Sequence, residues 1–186
     1  GRTWTKYAGN PILPNPGDEI DFRDPKVFWH KASSRWILSL ACGDEIRFYA
    51  SPDCKSWTYL SSFGRDRGGH GGVWECPDLF QLPVDGSEES KWVLIVNINP
   101  GGPAGGSATQ YFVGDFDGKT FTSSQRETLW MDHGADNYAG VTWSDAPDGR
   151  RILIGWMNNW LYAGDKPCVT WSGAMTLPRE LGLVPG

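Results

Sequence analysis

The chain has 186 residues and a formal charge of −5, with hydrophobic residues at 39% and charged residues at 21%. That length suits one domain with a sizeable core, or a piece of a larger domain, and the composition excludes a disordered chain. The acidic balance, without a face rich in Lys and Arg, argues against nucleic acid, and no apolar run approaches the ~20 residues that span a bilayer, so no membrane partner is expected.

In chain order, Gly1-Arg2-Thr3-Trp4 is neither a start methionine nor a signal peptide and reads as the second half of a turn motif. Short apolar runs bounded by Gly, Pro, Asp and Asn then predict strands over 26–29, 36–41, 46–50, 58–60, 79–82, 92–97, 110–115, 139–143, 152–156 and 174–178. Helical periodicity of useful length is absent, so the chain is expected to be all-β. Between strands, 51–57 and 114–121 are polar turns that close on Trp57 and Phe121, as outer hairpins would. The glycine-rich 101–106 segment reads as a loop near a site; no Lys-Ser follows it, which argues against a phosphate loop.

A repeat organises these strands. Asp24-Pro25-Lys26-Val27-Phe28-Trp29 leads through a turn to Trp36-Ile37-Leu38, and Cys76-Pro77-Asp78-Leu79-Phe80 leads to Trp92-Val93-Leu94. A third copy runs from Tyr138-Ala139-Gly140-Val141 to Arg151-Ile152-Leu153. Pro25 and Pro77 lie 52 residues apart, and Trp36 and Trp92 lie 56 apart. A four-stranded unit of that size is a propeller blade, with a β-sandwich of similar hairpins as the alternative.

Chemistry concentrates at the start of each unit. Asp24, Glu75 and Asp136 stand before or at the first strands, which in a propeller line the central channel, so the three acids are expected at equivalent places in one pocket. Glycosidic-bond cleavage needs such crowding: one carboxyl donates a proton to the leaving oxygen while others attack or stabilise the cationic centre. The 11 tryptophans suit sugars, which offer C–H faces to an indole and hydroxyls to its N–H. Cys42, Cys54, Cys76 and Cys168 form no C-x-x-C pair, so neither a zinc site nor a disulfide framework is expected.

Arg23-Asp24-Pro25, Trp74-Glu75-Cys76-Pro77-Asp78-Leu79 and Asp136-Asn137-Tyr138-Ala139, followed by 155–160 and 176–181, resemble family thirty-two of the glycoside hydrolases. That family comprises invertases, inulinases and levanases, and the similarity covers nearly the whole chain in order. The resemblance implies a retaining hydrolase of β-fructofuranosides on a five-bladed propeller, without metal or organic cofactor. It assigns Glu75 as acid/base and Asp24 as the group that grips fructose hydroxyls and stabilises the transition state, with Arg23 touching the sugar and keeping Asp24 ionised. The family's nucleophile motif, W-M-N-D-P-N-G, has no counterpart here; Trp156-Met157-Asn158-Asn159 carries Asn where the aspartate would be. Residues 1–186 are therefore expected to be the middle and later blades of a single propeller domain, about three in number, without the nucleophile.

Further candidates each have a bland reading beside the functional one. Trp156 and Trp160 stack on fructose or pack in the core; Asp136 bonds sugar, orients Arg23 or caps a strand; Cys76 tunes its neighbour Glu75 or is buried as a small apolar group. Tyr138 joins this binding set. His30, His70 and His133 read as loop residues. Competing functions are an inverting arabinan-type propeller glycosidase and a sugar-binding module without catalysis. The strings at 136–140 and 159–163 resemble levanases and exo-inulinases more than plant invertases, which implies fructan exo-hydrolysis with sucrose as a side substrate, and with it an extracellular or periplasmic location.

Overall fold

A computed structural model describes residues 1–17, 21–165 and 167–185. Among these, twelve strands fall into three antiparallel sheets. The first joins β1 (Phe22–His30), β2 (Arg35–Cys42), β3 (Glu45–Ser51) and β4 (Thr58–Phe63) in sequence order. The second joins β5 (Val73–Pro83), β6 (Ser90–Asn99) and β7 (Ala108–Phe116), with β8 (Phe121–Thr122) and β9 (Leu129–Trp130) sharing the far edge of β7. The third joins β10 (Tyr138–Thr142), β11 (Ile152–Trp156) and β12 (Arg179–Glu180), preceded by a 3₁₀ turn at Ala163–Asp165. Sequential up-and-down order within each sheet is the blade topology, and the first strand of the middle blade, β5, packs against both β1 and β10, as the innermost strands of successive propeller blades do.

The blades are held by apolar side chains wedged between them. Phe28 of β1 meets Trp92 and Phe116 of the second blade at ring separations of 5.5 and 6.3 Å, and Phe48, Trp74, Leu94, Ile98 and Phe112 fill the same interface. Full burial of each such side chain contributes about 1.5–3 kcal/mol. His30 belongs here too: it ends β1 and is buried against Trp92 and Phe116, not placed in a loop as the sequence suggested. A second cluster of Phe80, Leu82, Val93, Ile95 and Leu153 joins the second and third blades.

Two expectations change. The segment 174–178 is not a strand: Met175 makes a single bridge to Trp156, Thr176 exchanges bonds with Gly155, and the strand β12 starts only after Pro178. A proline lacks the N–H that would extend the ladder. The inner strands are longer than expected, because Pro25 and Pro77 do not end them but sit within β1 and β5 at register shifts, where a missing N–H disrupts no pairing.

Candidate active site

The same irregularity recurs in all three inner strands. Register shifts lie between Arg23 and Lys26, between Glu75 and Asp78, and between Tyr138 and Val141. Each contains a non-glycine residue in the left-handed region: Asp24 at φ 59°, Cys76 at 46° and Ala139 at 53°. Such bulges re-aim the neighbouring side chains. Counted from the shifts, the equivalent positions are Arg23, Glu75 and Tyr138, followed by Asp24, Cys76 and Ala139. The expected equivalence of Asp24, Glu75 and Asp136 is therefore corrected: Asp24 stands one position beyond Glu75's counterpart, and Asp136 lies two before Tyr138, outside the strand.

These equivalent residues meet. Arg23 donates from Nε and Nη2 to Glu75 Oε1 at 3.1 and 2.9 Å, and the Tyr138 hydroxyl donates to Glu75 Oε2. Both Glu75 oxygens therefore accept in this arrangement. Arg23 also pairs with Asp21 through Nη1. The Asp21 hydrogen bond, followed by Glu75, outweighs the opposing effect of burial and holds the guanidinium firmly charged. Burial, reinforced by the Glu75 bond, pushes the Tyr138 hydroxyl far above its ordinary value, so it remains a donor. Arg23 thus reaches Glu75 and Asp21, where the sequence suggested Asp24 as its partner.

Asp24 is fixed by Cys76 instead. The Cys76 backbone N–H donates to Asp24 Oδ2 at 3.1 Å, and its thiol approaches the same oxygen at 3.4 Å. Burial first, then the Asp24 charge, pushes the thiol up to about 12, so it stays protonated and able to donate. Cys76 therefore links the two carboxylate-bearing bulges, beyond the roles weighed from sequence.

A buried amide ties the bulges together. Asn97 of β6 donates to Cys76 O at 3.2 Å and accepts from Gly140 N at 3.3 Å and Thr109 Oγ1 at 2.7 Å, joining the second and third bulges. The sequence signal was a polar residue inside the run Ile95-Val96-Asn97-Ile98, since a buried amide must be satisfied. Asp21 gave no such signal.

The remaining candidates lie on the third blade. Trp156 is the cross-strand partner of Tyr138, and its ring stands 5.0 Å from that of Trp160, which is 57% exposed. Asp136 accepts from the Tyr162 hydroxyl rather than orienting Arg23. Fully buried Asn159 accepts from Ser107 N and Leu161 N and donates to Gly105 O, Ser107 O and Ala135 O, which ties the 101–106 loop to the segment carrying Trp160. His70 bonds Asp44 and the Arg67 carbonyl, and His133 is exposed. Among the described residues, no group of three His, Cys, Asp or Glu side chains is placed to hold a metal ion.

A site with carboxylates from successive inner strands, a cation, a buried phenol and a half-buried tryptophan beside an exposed one suits a neutral polyhydroxyl ligand and proton transfer at its oxygens. Comparison with known proteins agrees with that chemistry. Residues 1–185 match the family described as glycosyl hydrolases family 32 N-terminal domain. A levanase of Bacillus subtilis (strain 168) is 56% identical across 98% of this chain and 28% of its own length. An extracellular exo-inulinase of Aspergillus niger is 44% identical across 98% of the chain and 37% of its own length. The crystal structure of the exo-inulinase from Aspergillus awamori superposes with a TM-score of 0.90 at 41% identity, covering 97% of this chain and 38% of that one. The chain thus spans roughly a third of the length of these relatives. An exo-1,5-α-L-arabinanase from a bovine ruminal metagenomic library shares only the fold, with a TM-score of 0.57 at 12% identity, covering 95% of this chain and 62% of that one.

Proposed function

The chain belongs to glycosyl hydrolase family 32, and from that membership we propose that it supplies three consecutive blades of a longer, extracellular enzyme that hydrolyses β-fructofuranosides. The substrates are fructans of levan or inulin type, attacked from the chain end, with sucrose as a side substrate. The observation that carries this reading is the meeting of Arg23, Glu75 and Tyr138 from three successive bulges, with Asp24 fixed beside them by Cys76.

In the proposed mechanism a carboxylate nucleophile attacks the anomeric carbon as the glycosidic C–O bond breaks, and Glu75 passes its proton to the departing oxygen. Water then attacks the fructosyl ester, Glu75 takes a proton from it, and the ester C–O bond breaks to restore the nucleophile. Glu75 accepting at both oxygens from Arg23 and Tyr138 matches the second half-reaction, in which it must be a base. Asp24 grips the ring hydroxyls and opposes the positive charge of the oxocarbenium-like transition state. The nucleophile is assigned to a part of the polypeptide outside this sequence, which contains no W-M-N-D-P-N-G motif. Trp156 and Trp160 line the path of the sugar next to Tyr138.

Fructose release from sucrose, inulin and levan by the full-length polypeptide and its Glu75→Gln variant tests the assignment. The variant is expected to lose about 10²- to 10⁴-fold in kcat/KM on sucrose, with a much smaller loss of kcat/KM on a fructoside whose leaving group needs no proton. Near-wild-type sucrose turnover by the variant would remove Glu75 from the mechanism.

A further inference from the structure

Below the pocket, on the far side of the bulges, a second set of residues repeats the chemistry of the first. Lys26 follows the bulge of β1, Asp78 follows that of β5, and Thr142 ends β10. Asp78 Oδ2 accepts from Thr142 N at 2.7 Å and from Thr142 Oγ1 at 2.8 Å, and Lys26 Nζ lies 3.4 Å from the same oxygen. Lys26 Nζ also donates to Thr142 O at 2.7 Å, which closes a ring through all three inner strands. In the pocket, β1 offers a cation, β5 a carboxylate and β10 a hydroxyl, as Arg23, Glu75 and Tyr138; below it the same strands offer the same groups, as Lys26, Asp78 and Thr142.

The lower set has no access to a substrate. Asp78 is 1% exposed and Thr142 is buried, and Arg151, donating to Thr142 Oγ1 and to Trp143 O, closes it from the side. A buried ion pair is weak evidence for stability, because desolvation offsets its attraction, but it can fix one register against others. Here the register matters: only the bulge residues Cys76 and Pro77 separate Asp78 from Glu75, so a rotation of β5 against β1 and β10 would carry Glu75 away from Arg23 and Tyr138 together.

We infer that Asp78, clasped by Lys26 and Thr142, is a positioning residue that holds Glu75 in the register from which it can deliver its proton. The inference rests on the proton-donor reading of Glu75 given above. Its signature is a defect in kcat/KM, which reports the first half-reaction, confined to substrates whose leaving group needs the proton. A loosened clasp misplaces Glu75 but leaves the nucleophile and the sugar grip of Asp24 in place, whereas a general loss of folding lowers every rate equally.

The test measures kcat and KM for sucrose and for an aryl β-fructofuranoside with an acidic phenol leaving group, together with the thermal midpoint, in the full-length enzyme. Asp78→Asn removes the charge, Thr142→Val removes the hydroxyl alone, and Thr142→Ser restores it. Asp78→Asn and Thr142→Val are expected to lose about 10- to 100-fold in kcat/KM on sucrose, the scale of a misplaced reacting group, with kcat/KM on the aryl fructoside little changed. Thr142→Ser should approach the wild type. Should Asp78→Asn fail to fold, Thr142→Val carries the test, since it retains both charges and the backbone N–H bond. Equal losses of kcat/KM on both substrates, or no loss in a folded Thr142→Val protein, would overturn the inference. Glu75→Gln measured alongside separates the two claims: if it too shows no preference for the aryl substrate, the proton-donor reading fails and the positioning role fails with it.

Discussion

Glu75 draws its setting from two neighbours that do different work. Arg23 supplies fixed positive charge, and Tyr138 supplies a hydroxyl that burial keeps protonated. Asp24 stands in a different environment, touched by a thiol and a backbone N–H rather than by the guanidinium. Two acids on adjacent strands thus receive separate partners, as separate roles require. On the role proposed for Asp24, in which its bonds to the sugar strengthen as the ring becomes cationic, Asp24→Asn in the full-length polypeptide should lower kcat far more than it raises KM; a change in KM alone would make it a ground-state binder. The Cys76 thiol gives a check on geometry that needs no activity. With its proton held to about 12, it should resist alkylation by iodoacetamide at neutral pH, while exposed Cys168 reacts. Peptide mapping showing Cys76 labelled in native protein as fast as Cys168 would contradict the contact with Asp24.

At the level of elements, the repeated bulge is the device by which three inner strands bring Arg23, Glu75 and Tyr138 together. Its prolines look in sequence like strand breakers, so the strands were expected to begin after them, and the equivalence of the acids was counted from the wrong residue. The true equivalents, Arg23, Glu75 and Tyr138, share no residue type, which is why only the hydrogen-bond register exposes them. Most hairpins were legible because short apolar runs end in Gly, Pro, Asp and Asn. The strands β8 and β9 were not: each has two residues, too few for alternation, and between them the Gln125 side chain bonds Tyr111 O and Val113 N in place of a ladder. The lower clasp was hidden for another reason, since Lys26 and Thr142 are common strand residues far apart in sequence.

Interblade packing sets a pH dependence of its own. His30 is buried among Trp92 and Phe116, and burial, only partly opposed by Asp117, lowers its pKa from the ordinary 6.5. Below that value the unfolded chain binds more protons than the native one, so stability is full above about 6.5 and falls with acidification toward the depressed native value. Glu45 acts in the same direction at lower pH: burial raises its pKa, but bonds from Arg65 and Arg47 prevail and lower it, so its contribution is present above 4.5 and is lost as pH falls. Thermal midpoints should therefore drop on acidification from about pH 7 to pH 5, and His30→Asn should flatten the first part of that drop. An unchanged slope in the variant would assign it to other groups. Leu94→Ala, in the centre of the same interface, should cost about 2–5 kcal/mol in chemical denaturation.

For the molecule as a whole, the three blades are proposed to contribute one sector of a site whose nucleophile comes from elsewhere in the polypeptide. The family resemblance was legible because the Trp-Glu-Cys-Pro-Asp and Arg-Asp-Pro strings are short, local and carried in order. What was not legible is how they are held, since Asn97, Asp21 and the Lys26–Asp78–Thr142 clasp act across blades. A segment exchange tests the account most directly, because the chain matches the Bacillus subtilis levanase over 98% of its length at 56% identity. The measurement is fructose release from levan by that levanase carrying this chain in place of its matching segment, with and without Glu75→Gln. The exchanged protein should hydrolyse levan, and Glu75→Gln should abolish about 10²- to 10⁴-fold of that rate without lowering the thermal midpoint. A folded exchange protein that leaves levan intact, or one whose Glu75→Gln variant releases fructose as fast as its parent, would contradict it.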